Sequence, residues 1–271
     1  SYSANKKNML LIKDIGNEDY SDIYIYRRST TGGENYPVLK ASQSNMQSLA
    51  WPTYSPDGKW VYFYGSKEKD WTPGKYGEFY LYRVGLKYGT RPKKITDRTY
   101  ICTPLHFTPE DKILLVKRDA SSVRPKYDIV LRDPDSKKID IVSQINEPIS
   151  GAVFTPTGDS LLFITDRGVF RRSIEGGKIS VDLTWLDMKF PQLSENGKLL
   201  KIVNGAGHTL LVNRESGITQ YLGSFASSTL SFGNEGKVLV TNGSGAQFNI
   251  MELEYLDPQI SSKEFKGDLD Q

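Results

Sequence analysis

The chain has 271 residues, of which 38% are hydrophobic and 25% charged, with a formal net charge of +3 at pH 7; this is the make-up of a soluble globular protein long enough for a sizeable core. Near-neutral charge and short, interrupted basic clusters such as residues 91–94 argue against nucleic acid as a partner. Cys102 is the single cysteine, which excludes an intramolecular disulfide and a cysteine-built zinc site, and no apolar run approaches the ~20 residues that span a bilayer as a helix.

From the amino terminus, residues 8–12, 22–27 and 36–39 read as three strands that follow Ser3-Ala4-Asn5-Lys6-Lys7. The next segments reveal a register. A turn recurs as Ser55-Pro56-Asp57-Gly58-Lys59, Thr108-Pro109-Glu110-Asp111-Lys112, Thr155-Pro156-Thr157-Gly158-Asp159, Ser194-Glu195-Asn196-Gly197-Lys198 and Gly233-Asn234-Glu235-Gly236-Lys237, at spacings of 53, 47, 39 and 39 residues. That period suits four short strands and their turns. Pro fixes φ, Asp or Asn binds nearby backbone N–H groups, and Gly tolerates positive φ.

Before each turn the residues fall into columns. Tyr54, Phe107, Phe154, Leu193 and Phe232 stand immediately before it; Thr53, His106, Val153, Gln192 and Ser231 stand one position earlier; Pro52, Leu105, Ala152, Pro191 and Leu230 precede those. The alternation has the period of two that a strand requires, with one face toward a core and the other toward a more polar space such as a central channel. Second strands follow at residues 60–64, 113–116, 161–164, 199–203 and 238–241, rich in β-branched, aromatic and aliphatic side chains. Third strands are readable at 79–83, 128–132, 169–172, 210–213 and 248–253, and fourth strands at 93–96, 139–142, 179–183 and 218–222.

The register predicts an all-β fold, a six-bladed β-propeller of four-stranded antiparallel blades forming one domain over residues 1–271. The amino-terminal copy lacks its first strand, and residues 260–270 are expected either to close the ring or to form an outer strand of the last blade. Closure removes exposed sheet edges.

The Ser-Pro-Asp-Gly-Lys turn with its aromatic and aliphatic strand and a Tyr-rich third strand, in residues 55–64 and 79–82, resembles the TolB-like repeat, and the resemblance covers nearly the whole chain. It implies a propeller of the kind found mainly in bacterial envelope proteins; related repeats form the propellers of prolyl oligopeptidase, dipeptidyl peptidase and tricorn-type proteases. With Ser1 in place of an initiator Met, the chain is read as a processed or truncated polypeptide; removal of an export signal is the reading that gives the expected periplasmic or extracellular setting.

Catalytic signatures are sparse. No Gly-x-Ser-x-Gly elbow occurs, and Gly243-Ser244-Gly245 reads as a turn between strands. The two histidines, His106 and His208, cannot make a three-histidine site. His106, in the more polar column of a first strand, is read either as lining the channel or as a half-buried histidine with a hydrogen bond. Asp133-Pro134-Asp135 lacks the spacing, glycine and bidentate Glu of an EF-hand and reads as a turn. The aspartate box of sialidase propellers is missing.

Unequal loops are where function is expected. Residues 67–76, with Trp71 and Tyr76, and residues 119–126 exceed a tight hairpin, and long loops on a rigid scaffold often carry binding. Trp51 in a first strand, and Trp185 with Asp187 near the start of another, are read either at the channel mouth or in core or rim packing. The expectation is a monomeric, non-catalytic propeller that binds a protein partner through some of Trp51, Trp71, Tyr76, His106, Trp185 and Asp187, with no cofactor and no metal. The alternative is a hydrolase or lyase acting on carbohydrate, or a glycan-recognition propeller, with His106 in the channel.

Overall fold

A computed structural model describes residues 7–16, 21–29, 31, 33–67, 79–97, 100–101, 103–108, 110–119, 126–184, 187–194, 196–222, 230–232, 238–244 and 247–253. Within them the chain forms antiparallel sheets in sequence order. The first holds β1 (Asn8–Gly16), β2 (Ser21–Ser29) and β3 (Asn35–Lys40). The second holds β4 (Ser48–Tyr54), β5 (Trp60–Ser66), β6 (Tyr80–Gly85) and β7 (Lys93–Lys94); the third, β8 (His106–Phe107), β9 (Ile113–Asp119), β10 (Lys126–Arg132) and β11 (Ile139–Ile145). The fourth holds β12 (Ile149–Phe154), β13 (Ser160–Thr165), β14 (Gly168–Ser173) and β15 (Ser180–Leu183); the fifth, β16 (Met188–Leu193), β17 (Leu199–Asn204), β18 (Thr209–Asn213) and β19 (Thr219–Tyr221). Last come β20 (Leu230–Phe232), β21 (Val238–Ser244) and β22 (Gln247–Leu253).

The architecture is an all-β propeller with four-stranded antiparallel blades. It counts five blades, which corrects the six predicted from the register. Among the described residues four sheets have the full four strands, and those at the two ends of the sequence have three each. The fifth copy of the recurring turn and the segment expected to close the ring lie outside the described residues.

Sheets stack face to face, and the second strands β5, β9 and β13 are each shared between two cores. On β5, Val61 and Phe63 pack toward the first sheet while Tyr62 and Tyr64 pack toward the third. On β9, Ile113 and Leu115 face the second sheet and Leu114 and Val116 the fourth. On β13, Leu161 and Phe163 face back, and Leu162 and Ile164 face forward. Period-two geometry sends neighbours to opposite faces, so a strand buried on both sides reads as the continuous apolar run seen in the sequence. β17 departs at one place: Lys201, between Leu200 and Ile202 of the fourth–fifth core, is 1% exposed.

The turns owe their recurrence to one hydrogen-bond pattern. The Trp60 N–H donates to Ser55 Oγ at 2.9 Å, and Ser55 Oγ donates to Asp57 Oδ1 at 2.6 Å. The Leu199 N–H reaches Ser194 Oγ at 3.0 Å, and Ser194 Oγ bonds Asn196 Oδ1 at 2.8 Å. Gly58, Gly158 and Gly197 take φ of 69°, 71° and 71°, and in the third sheet Asp111 takes this place at φ 61°, a left-handed conformation that glycine adopts at no steric cost.

Arginines near the ends of third strands tie sheets together. Arg83 donates to Asp135 Oδ1 at 2.5 Å and lies over the Trp60 ring at 4.6 Å. Arg132 donates to the Ile95 carbonyl at 2.8 Å, and Arg172 to Ser143 Oγ at 2.7 Å. Arg214 grips Asp182 through two bonds of 2.8 and 3.0 Å, the fork geometry that favours arginine over lysine.

Candidate functional site

The innermost strands β4, β8, β12 and β16 bring four sheets together, and β16 is their meeting place. Pairing slips by one residue between Ala50 and Thr53 on β4 and between Lys189 and Gln192 on β16. In both, an aromatic residue followed by proline occupies the bulge: Trp51-Pro52 and Phe190-Pro191. Proline cannot donate to a ladder and is tolerated where a bulge interrupts it. Trp51 and Phe190 take φ of 52° and 56°, and bulky side chains in that region cost ~1–3 kcal/mol each unless the surroundings fix them.

The surroundings do so through mutual contact. The two rings lie 5.3 Å apart at 47°, and both side chains belong to one apolar cluster with Tyr64, Leu105 and Val203. Since the second and fifth sheets are not consecutive, this contact runs through the interior of the ring. Trp51 is 9% exposed and Phe190 5%.

Pro191 extends the arrangement to the third and fourth sheets. A Cβ on Gly151 of β12 would collide with Pro191 Cδ, so a glycine is required for the approach. Ser150 Oγ donates to the Met188 carbonyl at 2.7 Å. The His106 ring bonds the Pro191 carbonyl, while its Nε2 is shut off from solvent. Burial lowers the His106 pKa to about 4, and the bond to Pro191 opposes that shift only in part. His106 is thus neutral at physiological pH, and the structure gives it the half-buried, hydrogen-bonded place.

Asp187 stands at the start of the same strand. Its φ is 52°, its carboxylate lies hard against Gly205, and Oδ1 is 3.6 Å from Lys189 Nζ in a largely exposed pair. Trp51, His106 and Asp187 are all placed on or against β16 and its approach. Trp71, Tyr76 and Trp185 lie outside the described residues, as do most of residues 67–76 and 119–126.

Elsewhere the sequence readings resolve into structure. Asp133 Oδ1 accepts from the N–H groups of Asp135 and Ser136 at 2.7 and 2.8 Å, an Asx turn, with Asp135 engaged by Arg83. His208 sits edge-on to Tyr221 with ring centres 5.1 Å apart. Among the described residues no group of three or more His, Cys, Asp or Glu converges as a metal would need.

Two features escaped the sequence. The aromatic-proline pair repeats in corresponding columns, Trp51-Pro52 and Phe190-Pro191, and that repetition was the available signal for the bulges. Lys201 lies opposite Gln192 in the ladder, and burial lowers its pKa to about 7; a lysine in a column that otherwise holds Tyr62, Leu114 and Leu162 was legible but went unread.

No protein-family model and no curated protein matches this sequence. Solved structures do match in fold. The crystal structure of TolB from Acinetobacter baumannii aligns with a TM-score of 0.67 and 18% identity over 91% of this chain and 61% of that one. A putative TolB from Agrobacterium tumefaciens aligns with a TM-score of 0.55 and 16% identity over 82% of this chain and 78% of that one. An oligogalacturonate lyase from Vibrio parahaemolyticus gives a TM-score of 0.54 and 11% identity over 92% of this chain and 86% of that one. The fold is that of a TolB-like β-propeller. This chain spans less than two thirds of the length of the Acinetobacter protein.

Proposed function

We propose that this chain is a non-catalytic TolB-like β-propeller that binds a protein partner in the bacterial cell envelope or exterior, acting as a monomer. The observation that carries this reading is the Trp51–Phe190 contact inside the ring. It commits the innermost strands to packing and leaves the unequal loops as the surface for recognition. The envelope setting rests on the resemblance to TolB-like proteins. Trp71 and Tyr76 are the contact residues of this proposal, since long loops on a rigid scaffold carry recognition and aromatic side chains dominate binding energy at protein interfaces.

The test is capture from bacterial envelope extract, compared with cytosolic extract, followed by affinity measurement on the purified pair. Trp71→Ala is expected to weaken a specific envelope partner by about tenfold or more, corresponding to roughly 1.4 kcal/mol. Equal capture from both extracts, insensitive to Trp71→Ala and Tyr76→Ala, would overturn the reading.

The likeness to oligogalacturonate lyase favours a second reading, a carbohydrate-acting or glycan-recognising propeller. It requires His106 to reach substrate, although Nε2 is closed off. Turnover of an oligogalacturonate or other glycan that disappears in His106→Ala would establish that reading over the first.

A further inference from the structure

The hairpin between β6 and β7 concentrates positive charge. Lys87, Arg91, Lys93 and Lys94 fall within eight residues, all four are exposed, and the chain has no Asp or Glu from Tyr80 to Thr96. Arg83, the remaining cation of that stretch, is taken by Asp135 of the third sheet. No ion pair joins any of the four exposed cations to a described carboxylate. In the third and fifth sheets exposed lysines are matched, Lys138 with Asp140 at 3.5 Å and Lys198 with Glu215 at 3.4 Å. Cations gathered on one hairpin without counter-charge raise a local field that draws anions.

The hairpin holds those charges in place. The Thr90 N–H and Oγ1 both donate to the Lys87 carbonyl, at 3.2 and 2.6 Å, and Gly89 takes φ 83°. Lys94 Nζ stands 4.5 Å over the Tyr80 ring. Leu86 packs against the core between the first and second sheets, which leaves Tyr88 as the exposed hydrophobic side chain of the hairpin.

Three features select the kind of anion. Lys93 pairs with Arg83 and Lys94 with Tyr82, so adjacent cations point to opposite faces of the strand. A plane of lipid headgroups meets one such face at a time, whereas a flexible chain crossing the edge meets both. β7 is also an end strand of its sheet, and an end strand offers backbone N–H and C=O groups to a further strand. A peptide can extend that ladder and a glycan cannot. Lysines on such an edge repel basic strands and favour one that brings carboxylates opposite them.

We propose that the β6–β7 hairpin docks an acidic, extended segment of a protein partner, laid along β7 with its carboxylates toward Lys87, Arg91, Lys93 and Lys94. The proposal rests on the reading of the chain as a protein-binding propeller and supplies the chemistry of the partner.

The experiment is fluorescence anisotropy on the full chain with a labelled peptide of alternating glutamate and serine, and its glutamine–serine counterpart as the neutral probe. The acidic peptide is expected to bind and the neutral one not. Lys93→Glu with Lys94→Glu should weaken binding by about tenfold, while the charge-matched pair Lys126→Glu with Lys178→Glu, exposed on other sheets, should change it less than about twofold. Should the first pair not fold, Lys93→Gln with Lys94→Gln takes its place, with a smaller loss in the same direction. Methylating alternate backbone nitrogens of the peptide should also weaken it, by removing ladder donors. Equal binding of the two peptides, equal losses in the two variant pairs, or an unaffected methylated peptide overturns the proposal. So does displacement of the peptide by phosphatidylglycerol vesicles or oligogalacturonate at a lower concentration of anionic groups, which would make the site one for lipid or glycan. Peptide binding is read on the purified chain, independently of capture from envelope extract. Its absence with envelope capture intact sinks this proposal alone, and the absence of an envelope partner with the titration intact sinks the earlier reading alone.

Discussion

Gly151 and Pro191 occupy adjoining innermost strands so closely that a methyl group on Gly151 would strike the proline ring. The contact lets the β16 bulge approach the fourth sheet and extend its Pro191 carbonyl to His106. Neither residue is flexible enough to yield, because a proline ring and two strand backbones meet there. Gly151→Ala is expected to destabilise the fold by about 1–3 kcal/mol, as overpacking of a filled interior does. Urea unfolding, read as a lower midpoint with an unchanged slope, checks this.

His106 predicts an acid response with a definite sign. Its pKa is about 4 in the folded chain and near the ordinary 6.5 when unfolded. Between those values the unfolded state binds a proton that the folded state refuses. Its contribution is therefore fully present above pH 6.5 and lost as pH falls toward 4, by up to about 3 kcal/mol. His106→Asn should flatten the fall in stability over that window. Denaturation midpoints at half-unit pH steps measure the difference.

Lys201 behaves in parallel at higher pH. Its folded pKa of about 7 lies below the ordinary 10.4 of an unfolded lysine, so stability should climb as pH rises from 7 to 10.5. At pH 7 and below the chain carries the full cost of the buried ammonium, on the order of several kcal/mol. Lys201→Met is expected to raise stability at pH 7 and to remove most of the alkaline climb. Calorimetric unfolding of both proteins between pH 6.5 and 10 tests it.

The Arg214–Asp182 fork joins the fifth sheet to the fourth, with side chains 15% and 14% exposed. Arg214→Ala leaves a largely buried carboxylate unpaired and should cost about 2 kcal/mol, whereas Arg214→Ala with Asp182→Ala should recover part of that loss. A double-mutant cycle in urea gives the coupling directly.

Asp111 takes the left-handed turn position that Gly58, Gly158 and Gly197 fill in other sheets. Asp111→Gly should stabilise the chain by about 0.5–1 kcal/mol, relief of that conformation exceeding the added freedom of the unfolded state. Thermal unfolding reports the sign.

The strands were legible because the second strands are apolar almost throughout and the turns repeat their hydrogen-bonding side chains. Trp60–Ser66 and Ser160–Thr165, the observed β5 and β13, contain the second strands read from residues 60–64 and 161–164. The blade count was not legible, since the turn marks a hairpin between two strands and not the completion of four. The site was half legible. His106 stood out by its residue type and column, but its link to Pro191 joins residues 85 positions apart, and Gly151 carries no side chain by which to announce a packing role. Pro52 and Pro191 stood in one column in plain view, yet a bulge becomes apparent only when the facing strand supplies the register.

The two-sided second strands bear on how this chain can vary and break. Phe63 packs in one interior while its neighbours Tyr62 and Tyr64 pack in another, so β5 has no idle side on which a substitution could be absorbed. Injury to one such strand is felt by the sheets before and after it, and a blade excised from the chain would expose apolar surface on both flanks. The described ring should accordingly melt as a unit, with freedom to change concentrated in the hairpins and outer strands, where side chains such as Ile141 and Val181 already meet solvent.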